Sequence, residues 1–212
     1  MSRAAERVSI PGAAGGIETM VELPAREPRG VALVAHPHPL FGGTLDNKVV
    51  QTLARAFREL GYVALRTNFR GVGATSGEHD HGEGETEDLL QVVDWARERF
   101  GHERTVLAGF SFGAYVQTRV AKRTAVERMV LIGVPYGAVE GARHYAPEPV
   151  PSDTVLIHGE LDETVPLKQV MQWARPQELP VIVVPGADHF FHRRLHIIRR
   201  IVVEVWKPVH RG

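Results

Sequence analysis

Short apolar runs alternate with stretches of helical periodicity along this chain, and that alternation limits the fold more than any other feature. The runs fall near residues 31–35, 62–67, 105–109, 128–133, 154–158 and 180–184, and the helical patterns near 45–60, 84–99, 112–123, 166–174 and 192–206. Each run is apolar nearly throughout rather than at every second position, which predicts strands buried on both faces. Strands joined by helical crossovers run parallel. The expected architecture is therefore α/β, a mostly parallel twisted sheet with helices on both faces. Ahead of it, Arg7–Ile10, a turn through Gly15 and Gly16, and the alternating run Ile17–Leu23 predict an antiparallel hairpin. In the last helical pattern Leu195, Ile198, Ile201, Val202 and Val205 share one stripe with arginines between them, a core-facing helix. The chain has 212 residues and no internal linker, so one domain spanning 1–212 is expected.

Composition narrows the function. Lys+Arg and Asp+Glu are 25 each, so the chain has no basic field of the kind a nucleic-acid backbone requires. The absence of cysteine removes disulfides and thiolate chemistry and fits a reducing cytoplasm. Residues 1–7 carry charge and no apolar signal region, and no apolar run approaches the roughly 20 residues of a membrane helix. A cytoplasmic protein without membrane insertion is expected.

Within that frame, Gly109-Phe110-Ser111-Phe112-Gly113 joins the strand at 105–109 to the helix at 112–123. A serine at a sharp strand-to-helix turn sits in strained backbone geometry with its hydroxyl pushed outward, and the flanking glycines let strand and helix approach. The unpaired N–H groups of the helix start point to where an oxyanion would develop. Ser111 is thus the expected nucleophile. Two later strands release into loops that carry an acid and then a histidine. Asp162 follows the strand at 154–158, and His189 follows the strand at 180–184; both leave carboxyl ends, where an open α/β sheet places its ligands. Asp153 and Asp188 compete as the acid. Asp153 precedes its strand, and Asp188 adjoins His189 on an extended loop, where neighbouring side chains diverge. His192 competes as the base but is expected to start the terminal helix.

The 11 histidines raise the question of a metal. Only His192 and His196 share a helical face, and no third ligand stands at recognisable spacing, so no metal site is expected. His79, Asp80, His81, Glu83 and Glu85 read as a solvated loop entering the helix near Gly84, and Arg70 as a residue that ties loops together.

The elbow, the acid loop His158-Gly159-Glu160-Leu161-Asp162, the loop Gly186-Ala187-Asp188-His189-Phe190-Phe191, and above all His36-Pro37-His38-Pro39-Leu40-Phe41-Gly42-Gly43 with Asn68-Phe69-Arg70-Gly71-Val72-Gly73 resemble the α/β-hydrolase superfamily. The likeness is to a small, capless bacterial branch, similar in shape to dienelactone hydrolases but with serine where those carry cysteine. The resemblance implies a Ser111–His189–Asp162 triad and an oxyanion hole built from the Phe112 amide and one donor in the His-Pro-His-Pro loop. Pro37 and Pro39 have no N–H, which leaves His38, Leu40 and Phe41, and likeness to the superfamily's more common His-Gly-x turn implies His38, with Leu40 second. The segment between Gly133 and Thr154, about twenty residues with several prolines, is too short for a helical cap. Phe41, Phe110, Tyr136 and Phe190 are placed to line an acyl pocket. The implied activity is hydrolysis of small or short-acyl carboxylic esters through an acyl-enzyme, with no cofactor. The alternatives are an acyl thioesterase and a non-catalytic ligand-binding member of the superfamily.

Overall fold

The computed structural model describes residues 5–139 and 143–206; the first four residues, read above as lacking a signal region, lie outside it. Eight strands form one sheet. The hairpin β1 (Glu6–Gly12) and β2 (Gly15–Glu22) joins antiparallel to β4 (Val63–Thr67). From β4 onward the neighbours β3 (Val31–Ala35), β5 (Thr105–Phe110), β6 (Arg128–Ile132), β9 (Val155–Gly159) and β10 (Val181–Val184) pair parallel. The order across the sheet is β1-β2-β4-β3-β5-β6-β9-β10. Gly12 pairs with Gly15, so Ala13 and Ala14 make the hairpin turn, one step earlier than the glycine pair predicts. Gly15 instead supplies a φ of 125° inside the ladder end.

The sheet separates two apolar clusters, and alternate residues of each central strand feed opposite ones. Val31, Leu33 and Ala35 face α2 (Glu83–Phe100) and α3 (Phe112–Ala121), while Ala32 and Val34 face α1 (Lys48–Glu59) and α5 (Leu195–Val205). All five residues of β3, of β4 and of β9 are buried, as strands covered on both faces require. On α5, Ile198 and Val202 are fully buried and Leu195, Ile201 and Val205 pack around them.

Helix boundaries follow local chemistry. α1 begins three residues later than its apolar periodicity predicts, because the Asn47 side chain accepts from the Val49 and Val50 amides, while the Leu45 amide is committed to Asn68 Oδ1 at 2.8 Å. α5 begins at Leu195, so His192 stands in the turn before it rather than at its start. Between β6 and β9 there is no helical cap among the described residues. A second ladder of three-residue strands, β7 (Gly137–Val139) and β8 (Arg143–Tyr145), occupies part of that segment, tucking Val139 and Tyr145 into the core. Short α4 (Leu167–Ala174) follows β9. Among the described residues, no helix is long and apolar enough to cross a membrane.

The strand order places the site. From β3 the chain goes to one side, to β4, then crosses back to pair β5 on the other side of β3, so the loops leaving β3 and β5 diverge from adjacent strand ends. That divergence opens the crevice in which α/β sheets hold ligands.

Candidate active site

Ser111 stands between β5 and α3 with φ 54° and ψ −120°, a conformation L-residues rarely adopt, and its own amide is tied to Ile132 O of β6 at 2.8 Å. The flanking glycines are required by contact. A Cβ on Gly109 would lie 2.4 Å from Gly113 O, and one on Gly113 would lie 2.5 Å from both Ala35 O and His36 O. The elbow is thus pressed against the end of β3, and Phe112 occupies the first turn of α3, where its amide has no intrahelical acceptor.

The structure brings Ser111, Asp162 and His189 together. His189 Nε2 lies 3.1 Å from Ser111 Oγ, and His189 Nδ1 lies 2.6 Å from Asp162 Oδ2. A carboxylate only accepts, so the His189 proton sits on Nδ1, and Nε2 is left to accept from the serine hydroxyl. Asp162 is itself fixed: its Oδ1 accepts from the Val165 amide at 2.7 Å, and its side chain is wholly buried. His158 packs against the same carboxylate, 3.5 Å from Oδ2, while donating from Nε2 to Val165 O at 2.9 Å. Burial pushes the pKa of His158 down and keeps it neutral, outweighing the pull of Asp162.

The competing residues go elsewhere. Asp188 and His192 pair with each other on the surface at 2.5 Å, and the His192 amide closes the same turn. Asp153 lies at the opposite end of the sheet, ahead of β9, where its carbonyl accepts from Arg128. Arg70 is held by both oxygens of Asp88 at 2.7 and 3.0 Å, a link between the loop after β4 and α2.

The loop after β3 is rigid for reasons beyond its prolines. His36 is fully buried: it receives the Phe69 amide on Nε2 at 2.9 Å and donates from Nδ1 to Pro37 O at 2.6 Å. Both ring nitrogens are used by the neutral form, and burial pushes its pKa down to about 4. The two donors named for this loop now differ. The Leu40 amide is committed to His38 Nδ1 at 3.3 Å, whereas no acceptor among the described residues takes the His38 amide. The His38 ring also packs on that of Phe112, with ring centres 4.9 Å apart.

A cleft of about 410 Å³ is walled by Phe112 and His38, the neighbours of the elbow, and not by Ser111, Asp162 or His189 themselves. Of the four aromatics expected to line an acyl pocket, only Phe41 does so, two-thirds exposed at the rim beside Leu40. Phe110 is a correction: its side chain belongs to the strand interior, fully buried beneath the His189 ring at 4.9 Å, because the residue before the nucleophile faces the core of a buried strand. Tyr136 packs half-buried against the main core rather than in the cleft, and Phe190 lies half-exposed against His189 at 5.2 Å. Tyr115 and Tyr145 take the lining role instead. The loop at 79–85 is corrected in part: Asp80, His81 and Glu83 are exposed as expected, but His79 and Glu85 are not. Glu85 is fully buried, accepting from the Asp80 and Gly82 amides and from His79 Nδ1 at 2.8 Å, and His79 packs on His38 and Phe112. Glu85 stands three residues after Gly82, the spacing of a capping glutamate, but Gly82 lacks the side chain that would complete the sequence signature. Gly133 had no such signal. Its φ is 57°, and a Cβ there would stand 3.2 Å from His189 Cε1, close enough that the imidazole would have to yield by a few tenths of an ångström. Among the described residues no group of three or more His, Asp or Glu side chains is arranged to hold a metal.

Comparison with known proteins agrees with this geometry. A family model described as an alpha/beta hydrolase domain matches residues 29–197. The crystal structure of an α/β serine hydrolase without a lid from Xanthomonas campestris is 34% identical, with a TM-score of 0.87 over 99% of this chain and 98% of that one. An α/β serine hydrolase homologue from Coxiella burnetii is 37% identical, with a TM-score of 0.83 over 98% of this chain and 99% of its own. An uncharacterized protein of Rickettsia prowazekii is 32% identical over 170 residues, 76% of this chain and 71% of that protein. With a strained serine at the strand-to-helix turn, a capless sheet and these relatives, the chain belongs to the alpha/beta hydrolase domain family, among its lidless serine hydrolases.

Proposed function

We propose that the protein is a serine carboxylesterase that cleaves small or short-acyl esters through an acyl-enzyme. The observation that carries this reading is the relay in which His189 faces Ser111 Oγ at 3.1 Å and Asp162 at 2.6 Å. Ser111 attacks the carbonyl carbon while His189 Nε2 takes the hydroxyl proton. Asp162 holds the tautomer and stabilises the imidazolium. The Phe112 and His38 amides receive the oxyanion, and removing one such donor typically costs about 3 kcal/mol of transition-state stabilisation. The imidazolium then protonates the leaving alkoxide, and a water activated by the same imidazole releases the acid. The scheme uses no cofactor.

Reaction with a fluorophosphonate tests nucleophile and activation together. The expected result is one adduct by intact mass, located to the peptide carrying Ser111 and absent from folded Ser111→Ala protein. A folded protein that takes no label, or takes it at another residue, overturns the reading.

A further inference from the structure

One buried imidazole takes no part in the proton relay and yet stands against it. His158 lies near the end of β9, on the strand face that Leu156 also feeds. Its Nε2–H donates to Val165 O at 2.9 Å and stands 3.5 Å from Asp162 Oδ2. Its other nitrogen, Nδ1, is buried with no partner among the described residues. A buried nitrogen left unpaired costs stability that a methionine or leucine of similar bulk would not. The imidazole is therefore a poor choice for packing alone, and the donor on Nε2 is what it brings.

The contacts around that donor close a circuit. Asp162 Oδ1 accepts from the Val165 amide at 2.7 Å, the carbonyl of the same residue accepts from His158, and His158 faces the second carboxylate oxygen, the one that His189 Nδ1 meets at 2.6 Å. The start of the acid loop is secured separately. The Leu161 amide donates to Ala187 O at 2.8 Å, and a Cβ on Gly159 would stand 2.6 Å from that same oxygen, so backbone contacts lock residues 159–161 to the histidine loop. The far side of Asp162 hangs on Val165 and, through it, on His158. Val165 is itself buried, so its carbonyl has no solvent to turn to once the imidazole is gone.

We propose that His158 is a positioning residue for the triad acid: by holding Val165 O it fixes the plane of the Asp162 carboxylate and, through it, the tautomer of His189. The Nδ1–H tautomer is favoured while a carboxylate oxygen stands in line with Nδ1, and a carboxylate free to turn favours it less. The inference rests on the acyl-transfer reading above and adds a residue that acts only through Asp162.

Three substitutions separate geometry from bulk. His158→Met fills the space without a donor; His158→Asn and His158→Gln both carry an amide, but only the longer one places its N–H about where Nε2–H stands. On a 4-nitrophenyl short-chain ester, His158→Met and His158→Asn are expected to lose about tenfold or more in kcat with KM changed less than about twofold, and His158→Gln to stay within about threefold of the parent. A second readout needs no substrate. Proton–nitrogen correlation spectra of the histidine rings, taken where the rings are neutral, should show His189 as the Nδ1–H tautomer in the parent and in His158→Gln, and as a mixture in the other two variants. Parental kcat in His158→Met, equal losses in His158→Gln and His158→Asn, a rise in KM matching the fall in kcat, or an unchanged His189 tautomer in folded His158→Met protein overturns the proposal. Should His158→Met not fold, the two amide variants decide on both readouts; if neither of those folds, the imidazole serves the fold and the proposal falls. A parent that cleaves no ester while the spectra change as expected sinks the esterase and keeps the positioning role. Ester cleavage with a His189 tautomer indifferent to these substitutions does the reverse.

Discussion

Two aspartate–histidine pairs stand within a few residues of each other, and they do opposite things with the same groups. Asp162 and His189 meet at 2.6 Å with both side chains buried; Asp188 and His192 meet at 2.5 Å with both largely in water. Bond length does not separate them. What differs is the far nitrogen of each ring, which faces Ser111 in the first pair and no serine in the second. The first carboxylate is also immobilised by the Val165 amide and shielded from water, so its charge acts at low dielectric on one imidazole. In the exposed pair the same charges are screened, and the pair serves to close the turn before α5.

The largest test of this contrast removes the ends of the buried relay. Ser111→Ala and Asp162→Asn should each keep the fold and lower kcat on a 4-nitrophenyl short-chain ester by roughly a thousandfold or more, since members of such a unit act together. If Asp162→Asn proves mild while Asp188→Asn cripples the enzyme, the acid belongs to the histidine loop and the contrast collapses.

A third imidazole sharpens the role of burial by taking the acid away. His36 is fully buried between a carbonyl and an amide, and its pKa falls to about 4 from the ordinary 6.5. Below pH 6.5 the unfolded chain takes up a proton that the folded one refuses, so stability falls with falling pH until the folded-state value is reached. The loss from this group is about 3 kcal/mol between pH 7 and pH 4. Urea midpoints across that range should fall less steeply in His36→Gln than in the parent, each taken relative to its own value at pH 7. Parallel slopes would assign the acid sensitivity to other groups.

Gly133 probes how finely the buried ring is placed. A methyl group there enters the His189 ring contact at 3.2 Å on a backbone of φ 57°, and Gly133→Ala should cost roughly tenfold in kcat with a smaller change in KM. An unaltered kcat would mean that the imidazole tolerates displacement. The smallest effect is expected on the surface: Asp188→Asn or His192→Gln should change stability by no more than about 0.5 kcal/mol and activity by less than about twofold. Thermal melts and the same ester assay decide it.

Legibility in the sequence followed the same division between local and distant. The strands of the sheet and the five helices were readable because each is a periodic run of its own, and Ser111 was readable because strand, turn and helix adjoin. Asp162 and His189 could be named from the strands that release them, but not their contact. β7 and β8 escaped because three-residue strands carry no period, and their pairing depends on a turn and on Tyr145 finding the core. The lining of the cleft was read least well. Phe110 and Tyr136 had the right composition for a pocket and the wrong face, while His79 and Glu85 looked solvated because charge alone does not reveal a buried cap.

The order in which the relay is assembled has a consequence for biosynthesis. Ser111 precedes His189 by 78 residues, and between them lie β6, β9 and β10, each of which must pair before the imidazole reaches its seat. On the proposed mechanism, a ribosome-bound chain that has paired its strands as far as β6 holds the elbow but has no base to deprotonate the serine. On that mechanism reactivity waits for the last strand to dock on β9, and a chain stalled before that point would carry an inert hydroxyl rather than a half-active enzyme.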